Sequence, residues 1–178
     1  MSIVCLGWGS LVWNPGSLPV KGDWQPDGPR LPLEFARGSR DGRVTLVIVE
    51  DGDLCLALWS KLDVRGLEAA VAALAAREGC DAAAIGRIPA AGKRHPQTES
   101  IANWCAAKGI AGVVWTALQP GFAEQRGRAP SRDAIIAHLR GLDAGARAKA
   151  AEYVAKTPPQ IVTRFRRALE IELGIVAG

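Results

Sequence analysis

The order in which strand and helix patterns follow one another is the feature that most constrains this fold. Strand patterns dominate the chain up to residue 118, with helices inserted between them, whereas the chain after residue 131 carries helical patterns. The clearest strand covers residues 44–49, because it is β-branched almost throughout. Since the patterns do not alternate as repeated βαβ units, the sequence predicts an α+β fold with a mixed β-sheet and flanking helices.

We expect one domain that spans residues 1–178, in which residues 131–178 form a helical C-terminal extension. The strands 44–49 and 54–59 are separated by a polar turn and predict a β-hairpin. Residues 17–32 are rich in Pro and Gly and predict irregular chain. Further strands are predicted at 3–6, 33–36, 84–89 and 112–118, and helices at 66–78, at 98–108, after Ser131, from Asp143, and from Pro159.

A turn flanked by glycines follows the first predicted strand. Ser10 lies between Gly9 and an apolar run, and residues 14–16 form an Asn-Pro-Gly turn signal. Successive N–H groups in such a turn can form an anion-binding concavity. A plain strand-to-loop corner is the alternative, and the pattern alone favours it because Gly-x-Gly is weak without a following helix.

The helix predicted at 66–78 places a carboxylate where its periodicity calls for an apolar side chain. Leu67, Val71 and Leu74 form the apolar stripe, and the next position on it is Glu78. Partial burial and the negative end of the helix dipole both disfavour the charged form of a carboxylate. A carboxylate in such a place takes up a proton more readily, which suits a general base near neutral pH. A frayed last turn with Glu78 in solvent is an equally supported alternative.

Composition indicates a globular chain with no membrane span, and we expect no cofactor. No apolar run approaches the ~20 residues of a membrane span, and the first residues show no signal-peptide pattern, so we expect a cytoplasmic protein. The four cysteines are scattered without metal-ligand spacing, which predicts no metal and buried free thiols. A thiol nucleophile at Cys5 or Cys80 is the alternative, but no adjacent His supports it.

The C-terminal third is basic. Residues 126–167 hold ten Arg or Lys against three acids, a local charge of +7 compared with +4 for the whole chain. Such a segment could face nucleic acid or an anionic substrate. A solvated helical surface is favoured, because no aromatic platform interleaves with the basic residues, and nucleic acid is not expected as a partner.

Two segments resemble a known family. The loop after the first strand has the sequence Gly9-Ser10-Leu11-Val12-Trp13-Asn14-Pro15-Gly16. It resembles the signature of the gamma-glutamylcyclotransferase superfamily, usually Tyr-Gly-Ser-Leu, and its extended form is closest to the ChaC branch. The segment Leu74-Ala75-Ala76-Arg77-Glu78-Gly79 is similar to the family's segment around its catalytic glutamate. The match covers roughly the first half of the chain, and Trp8 stands where the family usually has Tyr.

The resemblance implies a partly closed barrel of the gamma-glutamylcyclotransferase-like type and a reaction without metal or enzyme nucleophile. In this family the α-amine of a gamma-glutamyl compound attacks its own gamma-carbonyl, which releases 5-oxoproline and an amine or peptide. Glu78 then takes the acid/base role, and the loop formed by Trp8, Gly9, Ser10 and Leu11 binds the substrate. Arg40, in a loop comparable to one of the ChaC branch, is a further candidate for anion binding.

Other carboxylates compete with Glu78, and a second class of function stays open. Glu34 lies in a strand whose period-two pattern predicts exposure, and Glu99 lies in the first turn of a helix, where a carboxylate is stabilising by itself. A non-catalytic member of the same fold, binding a small molecule or a protein, is the alternative to an enzyme.

Overall fold

The computed structural model describes residues 2–90, 95 and 97–175, and these residues form the predicted α+β fold. Of the predicted basic loop at 93–96, only His95 lies within the described residues. The strands are β1 Ile3–Gly7, β2 Val20–Gln25, β3 Arg30–Gly38, β4 Val44–Ile48, β5 Asp53–Leu56, β6 Leu58–Leu62, β7 Ile85–Ile88 and β8 Gly112–Thr116. The helices are α1 Leu67–Glu78, α2 Thr98–Lys108, α3 Arg132–Arg140, α4 Ala144–Lys156 and α5 Arg166–Leu173.

The described strands form two sheets and do not close into a barrel. The first sheet has the order β2-β6-β1-β8-β7, and the second has the order β4-β3-β5. Strand β1 pairs antiparallel with β6 and parallel with β8, so the first sheet is mixed, as predicted. The expected partly closed barrel is therefore corrected to two sheets, because β2 and β7 end the first sheet as edge strands.

The chain divides into two compact units, each assembled from two segments. The first unit comprises residues 1–31 and 56–118, and the second comprises residues 32–55 and 119–178. In the first unit, α1 packs on the sheet through a buried stripe. The core cluster there includes Cys5, Leu11, Leu74, Ile85 and Val114.

Helix α1 is flanked by two glycines, and its bounds lie close to the predicted ones. Gly66 precedes it, and Gly79 caps its C-terminus with φ 61°. The Gly79 N–H donates to the carbonyls of Ala75 and Ala76. Carbonyls of the last turn that have no partner within the helix thereby receive a hydrogen bond. The cap places Glu78 as the final helical residue.

The second unit is organised around β3, which is buried on both faces along most of its length. The Tyr153 hydroxyl of α4 accepts a hydrogen bond from the Leu46 N–H of β4 at 3.2 Å. The Tyr153 ring also meets the Phe35 ring edge-on, with centroids 6.3 Å apart. Tyr153, the only tyrosine of the chain, thus links the helical part of this unit to its sheet.

The predicted hairpin at 44–59 is wrong. Strands β4 and β5 lie on opposite sides of β3 and do not pair with each other. Strand β6 belongs to the other sheet, where it pairs with β1 and β2. The cause is β3, a nine-residue strand whose apolar faces take the central place between β4 and β5. Strand β2 also lies in the stretch 17–32 that the sequence predicts as irregular.

The last helix starts at Arg166 rather than at Pro159. The Arg166 guanidinium donates to the carbonyls of Thr157, Pro158 and Ile161, at 2.8–3.0 Å. These bonds hold residues 157–161 in a non-helical conformation. The pattern of apolar residues along the chain does not predict such side-chain bonds. No helix among the described residues is long and apolar enough to cross a membrane.

Candidate functional site

The loop that follows β1 is a compact turn closed by its own backbone. The Val12 N–H donates to the Gly9 carbonyl at 2.9 Å, and the Asn14 N–H donates to the Ser10 carbonyl at 2.8 Å. Trp8 and Leu11 are buried, and Leu11 joins the core cluster beneath α1. The loop is therefore anchored by two apolar side chains while Ser10 stays half-buried at its surface.

The N–H groups at the centre of this loop are not used in its turns. Among the described turn and loop bonds to other described residues, the donors in the loop are Val12 and Asn14, whereas Gly9, Ser10 and Leu11 donate none. Three successive amide donors next to a turn can receive an anion or a developing oxyanion.

Glu78 lies at the end of α1 with its side chain 17% exposed. The alternative of a carboxylate frayed into solvent is thereby excluded, and the apolar periodicity correctly indicated an inward-facing position. Its Oε1 accepts a hydrogen bond from Arg77 Nη1 at 2.7 Å. This contact is a charge-assisted hydrogen bond between adjacent residues, and the sequence did not predict it.

Arg77 connects Glu78 to the loop. Its Nη2 lies 3.4 Å from Ser10 Oγ and also donates to the Asn14 carbonyl. The Arg77 side chain is 13% exposed. The structure thus brings together Glu78 and Ser10, which lie far apart in sequence, through one guanidinium. Arg77 was not predicted as a site residue, because it falls off the apolar stripe of α1, although it directly precedes Glu78 in the sequence.

The Cys5 thiol lies beneath this cluster and does not fit a nucleophile. Cys5 is completely buried, and its thiol lies 3.3 Å from the Leu6 carbonyl. Burial raises the pKa of the Cys5 thiol far above its usual range, the Glu78 charge raises it further, and Arg77 lowers it. The thiol consequently stays protonated at neutral pH, which supports packing rather than catalysis.

Arg40 lies in the second unit, exposed, in the turn after β3. Asp41 organises that turn by accepting hydrogen bonds from Ser39 Oγ at 2.5 Å and from Arg43 Nε at 3.0 Å. Arg40 itself makes no hydrogen bond or ion pair to another described residue.

Glu34 is buried, so the predicted exposure of this side chain is wrong. It is 4% exposed, because β3 is covered on both faces and does not follow the period-two pattern. Its Oε1 accepts hydrogen bonds from Thr163 Oγ1 at 2.6 Å and from the Phe35 N–H at 2.8 Å. Its Oε2 is buried without a hydrogen-bond partner among the described residues. Burial raises the pKa of Glu34, and the nearby Asp53 charge adds to the rise.

The remaining candidates are structural or solvent-facing. Glu99 is exposed in the first turn of α2, as expected. Cys55 and Cys105 are buried free thiols, and Cys80 is half-buried. Over residues 2–90, 95 and 97–175, no group of three or more His, Cys, Asp or Glu side chains is arranged to hold a metal ion.

The sequence was compared with known protein families and with curated proteins. No protein-family model matches this sequence, and no curated protein matches it significantly.

Proposed function

We propose that this protein is a gamma-glutamylcyclotransferase-like enzyme, with the corresponding fold type, that releases 5-oxoproline from a gamma-glutamyl compound. One observation carries the proposal: Arg77 bonds at once to Glu78 and to the loop residues Ser10 and Asn14. The candidate base and the unused amide donors of the loop are therefore neighbours within one unit. This pairing is what an intramolecular aminolysis needs, namely a proton carrier beside an anion-binding turn.

The reaction proceeds in two steps. Glu78 takes a proton from the substrate α-ammonium, and the resulting amine attacks the gamma-carbonyl carbon to close a five-membered ring. The carbonyl oxygen becomes an oxyanion, which the N–H groups of Gly9, Ser10 and Leu11 stabilise. When the oxyanion collapses, the bond to the leaving nitrogen breaks, and the protonated Glu78 gives its proton to that nitrogen. The ring nitrogen still carries two protons after its attack, and it releases one of them to the regenerated Glu78 carboxylate, which passes it to the freed amine to give an ammonium. The products are 5-oxoproline and a free amine or peptide.

The enzyme contributes mainly by folding the substrate. Attack of an amine on a carbonyl in the same molecule already has high effective molarity once the two atoms are aligned. The closed turn and its two buried anchors, Trp8 and Leu11, provide a rigid surface for that alignment. The buried anchors thus explain how a loop, rather than a helix or strand, can hold the substrate in one geometry.

The test is formation of 5-oxoproline by the purified protein. Glutathione and several gamma-glutamyl amines serve as donors, and 5-oxoproline is quantified by chromatography. We expect turnover with at least one donor. If no donor yields 5-oxoproline, the proposal fails, and a non-catalytic binding protein of the same fold becomes the better interpretation.

The variant Glu78→Gln keeps the shape of the side chain and removes its basicity. We expect kcat to fall by about 100-fold to 10,000-fold, the range that general acid/base groups contribute. Glu68→Gln is the matched control, since Glu68 lies on the same helix with its side chain 80% exposed. Thermal unfolding verifies that both variants are folded; activity that survives Glu78→Gln would remove Glu78 from the mechanism.

A further inference from the structure

The proposed mechanism assigns no chemical step to Arg77, but the contacts of its side chain indicate a role. It precedes the candidate base on α1, and its guanidinium is mostly withdrawn from solvent. Within the planar guanidinium, Nη1 donates to Glu78 Oε1, and Nη2 donates to Ser10 Oγ and to the Asn14 carbonyl. Its stem also lies along the loop, because a Cβ built on Gly16 would be 3.7 Å from Arg77 Cγ. Arg77 thus contacts the loop at three places and the base at one.

We propose that Arg77 is a positioning residue that fixes the loop relative to Glu78; this inference rests on the proposed function. A guanidinium is rigid and holds its donors at fixed angles, so bonding both partners sets the distance between them. Within the loop, the carbonyls of Gly9 and Ser10 accept hydrogen bonds from the N–H groups of Val12 and Asn14. Arg77 adds a polar link between this loop and Glu78.

An arginine is required here, and a lysine is not equivalent. A lysine ammonium is a point charge on a flexible stem, and it can pair with Glu78 but cannot present a second, oppositely directed set of donors to the loop. Arg77→Lys therefore keeps the charge beside the base and removes the link to the loop. Arg77→Ala removes both. The two variants separate electrostatic support of Glu78 from positioning of the loop.

The kinetic test compares these variants with Arg87→Lys and Arg87→Ala. Arg87 is a matched control in the same unit, because it pairs with Glu68 of the same helix at 2.9 Å and its side chain is 17% exposed. We expect Arg77→Lys to lower kcat/KM by about 100-fold, the effect of misplacing reacting groups by roughly 1 Å. We expect the Arg87 variants to stay within about twofold of the wild type, since they touch neither the loop nor Glu78.

Chemical rescue distinguishes positioning from general stability. Added guanidinium ion at ~10 mM, far below denaturing concentrations, restores part of the activity of Arg77→Ala. A purely structural role would give no rescue.

A readout without turnover keeps this inference separate from the proposed function. The amide resonances of residues 9–14 are followed by NMR in the wild type, Arg77→Lys and Arg87→Lys. We expect shifts confined to the loop in Arg77→Lys and none there in Arg87→Lys. Unchanged loop resonances overturn the positioning role, even if the protein forms 5-oxoproline. A wild type that forms no 5-oxoproline overturns the proposed function, while loop shifts in Arg77→Lys still establish the positioning.

Discussion

Glu34 shows how one side chain departs from the pattern of its own strand. Alternation along a strand exposes every second residue only where one face of the sheet meets solvent. Strand β3 is covered on both faces, so its carboxylate is buried with the apolar residues around it. Hydrogen bonds from Thr163 and Phe35 satisfy one oxygen and leave the other without a partner among the described residues. The charged form of Glu34 therefore destabilises the fold.

This burial gives the stability of the protein a pH dependence of definite sign. The folded state raises the pKa of Glu34 above its ordinary value of 4.5, chiefly by burial. Above pH 4.5 the native state binds more protons than the unfolded state, so the free energy of unfolding falls as the pH rises through the folded-state pKa. The contribution of Glu34 to stability is complete below pH 4.5 and is lost at higher pH.

The variant Glu34→Gln should lack this fall in the free energy of unfolding with rising pH. At pH 8 we expect the variant to be more stable than the wild type by about 1 kcal/mol, because an amide avoids burying a charge. The difference should shrink toward pH 4. Chemical unfolding at several pH values measures it, with Glu50→Gln as an exposed control. A wild type and variant with parallel pH profiles would contradict the assignment.

The candidate site was predictable from the sequence in part. The inward position of Glu78 followed from apolar spacing, and the loop followed from its glycines and its resemblance to a family signature. Arg77 was not predictable, because neighbouring positions on a helix point in different directions. Its long side chain turns toward the loop only because Ser10 and Asn14 lie there in the folded unit. Such a contact depends on tertiary structure and has no local pattern.

At the scale of elements, the β7–β8 pair depends on one glycine. Gly86 of β7 lies opposite Trp115 of β8, which is completely buried. A Cβ built on Gly86 would be 2.1 Å from the Trp115 ring. The absence of a side chain at Gly86 is therefore what allows the indole to lie flat against the neighbouring strand.

Gly86→Ala should destabilise the protein by about 1–3 kcal/mol, the usual cost of overpacking a core. Gly112→Ala on β8 is the matched control, because a Cβ there would meet its nearest neighbours at 3.4–3.5 Å, in ordinary contact. Thermal unfolding of both variants measures the difference. Equal melting temperatures would show that the Trp115 ring shifts without cost.

Helices were predicted more accurately than strand partners. The bounds of α2 agree with the sequence, and α3 and α4 begin directly after Ser131 and Asp143, close to the predicted starts. Both of these side chains accept a hydrogen bond from a backbone N–H in the first turn. Caps are local signals within four residues. Strand pairing is not local, and the sequence therefore predicted a hairpin where β3 separates β4 from β5.

At the scale of the whole molecule, part of the basic C-terminal third is used within the second unit. Four of its arginines donate to backbone carbonyls of that unit. They are Arg126, which bonds to Gly38 and Gly121, Arg147, which bonds to Leu139, Arg164, which bonds to Asp51, and Arg166, which bonds to three carbonyls. This supports a structural role for the segment.

We accordingly expect no specific binding to nucleic acid. Fluorescence anisotropy with duplex DNA and single-stranded RNA at 0.15 M salt should give a dissociation constant no tighter than about 100 µM, the weak end of non-specific binding. The same measurement at low salt provides the salt dependence. Tight binding with a steep salt slope would show that the basic third has an outward-facing surface of functional charge.

The place of β1 in its sheet sets the order in which the protein can assemble during synthesis. Strand β1 is made before the other described strands of its sheet, yet its two neighbours are β6 and β8, which end at Leu62 and Thr116. At 5–20 residues per second, the ribosome needs roughly 5–20 s to proceed from β1 to the end of β8. During that interval the apolar strand β1 has an unpaired edge, and the loop behind it lacks its contact with Arg77 until α1 emerges. An unpaired strand edge of this kind can pair with another chain, so β1 is exposed to aggregation until β8 has been made.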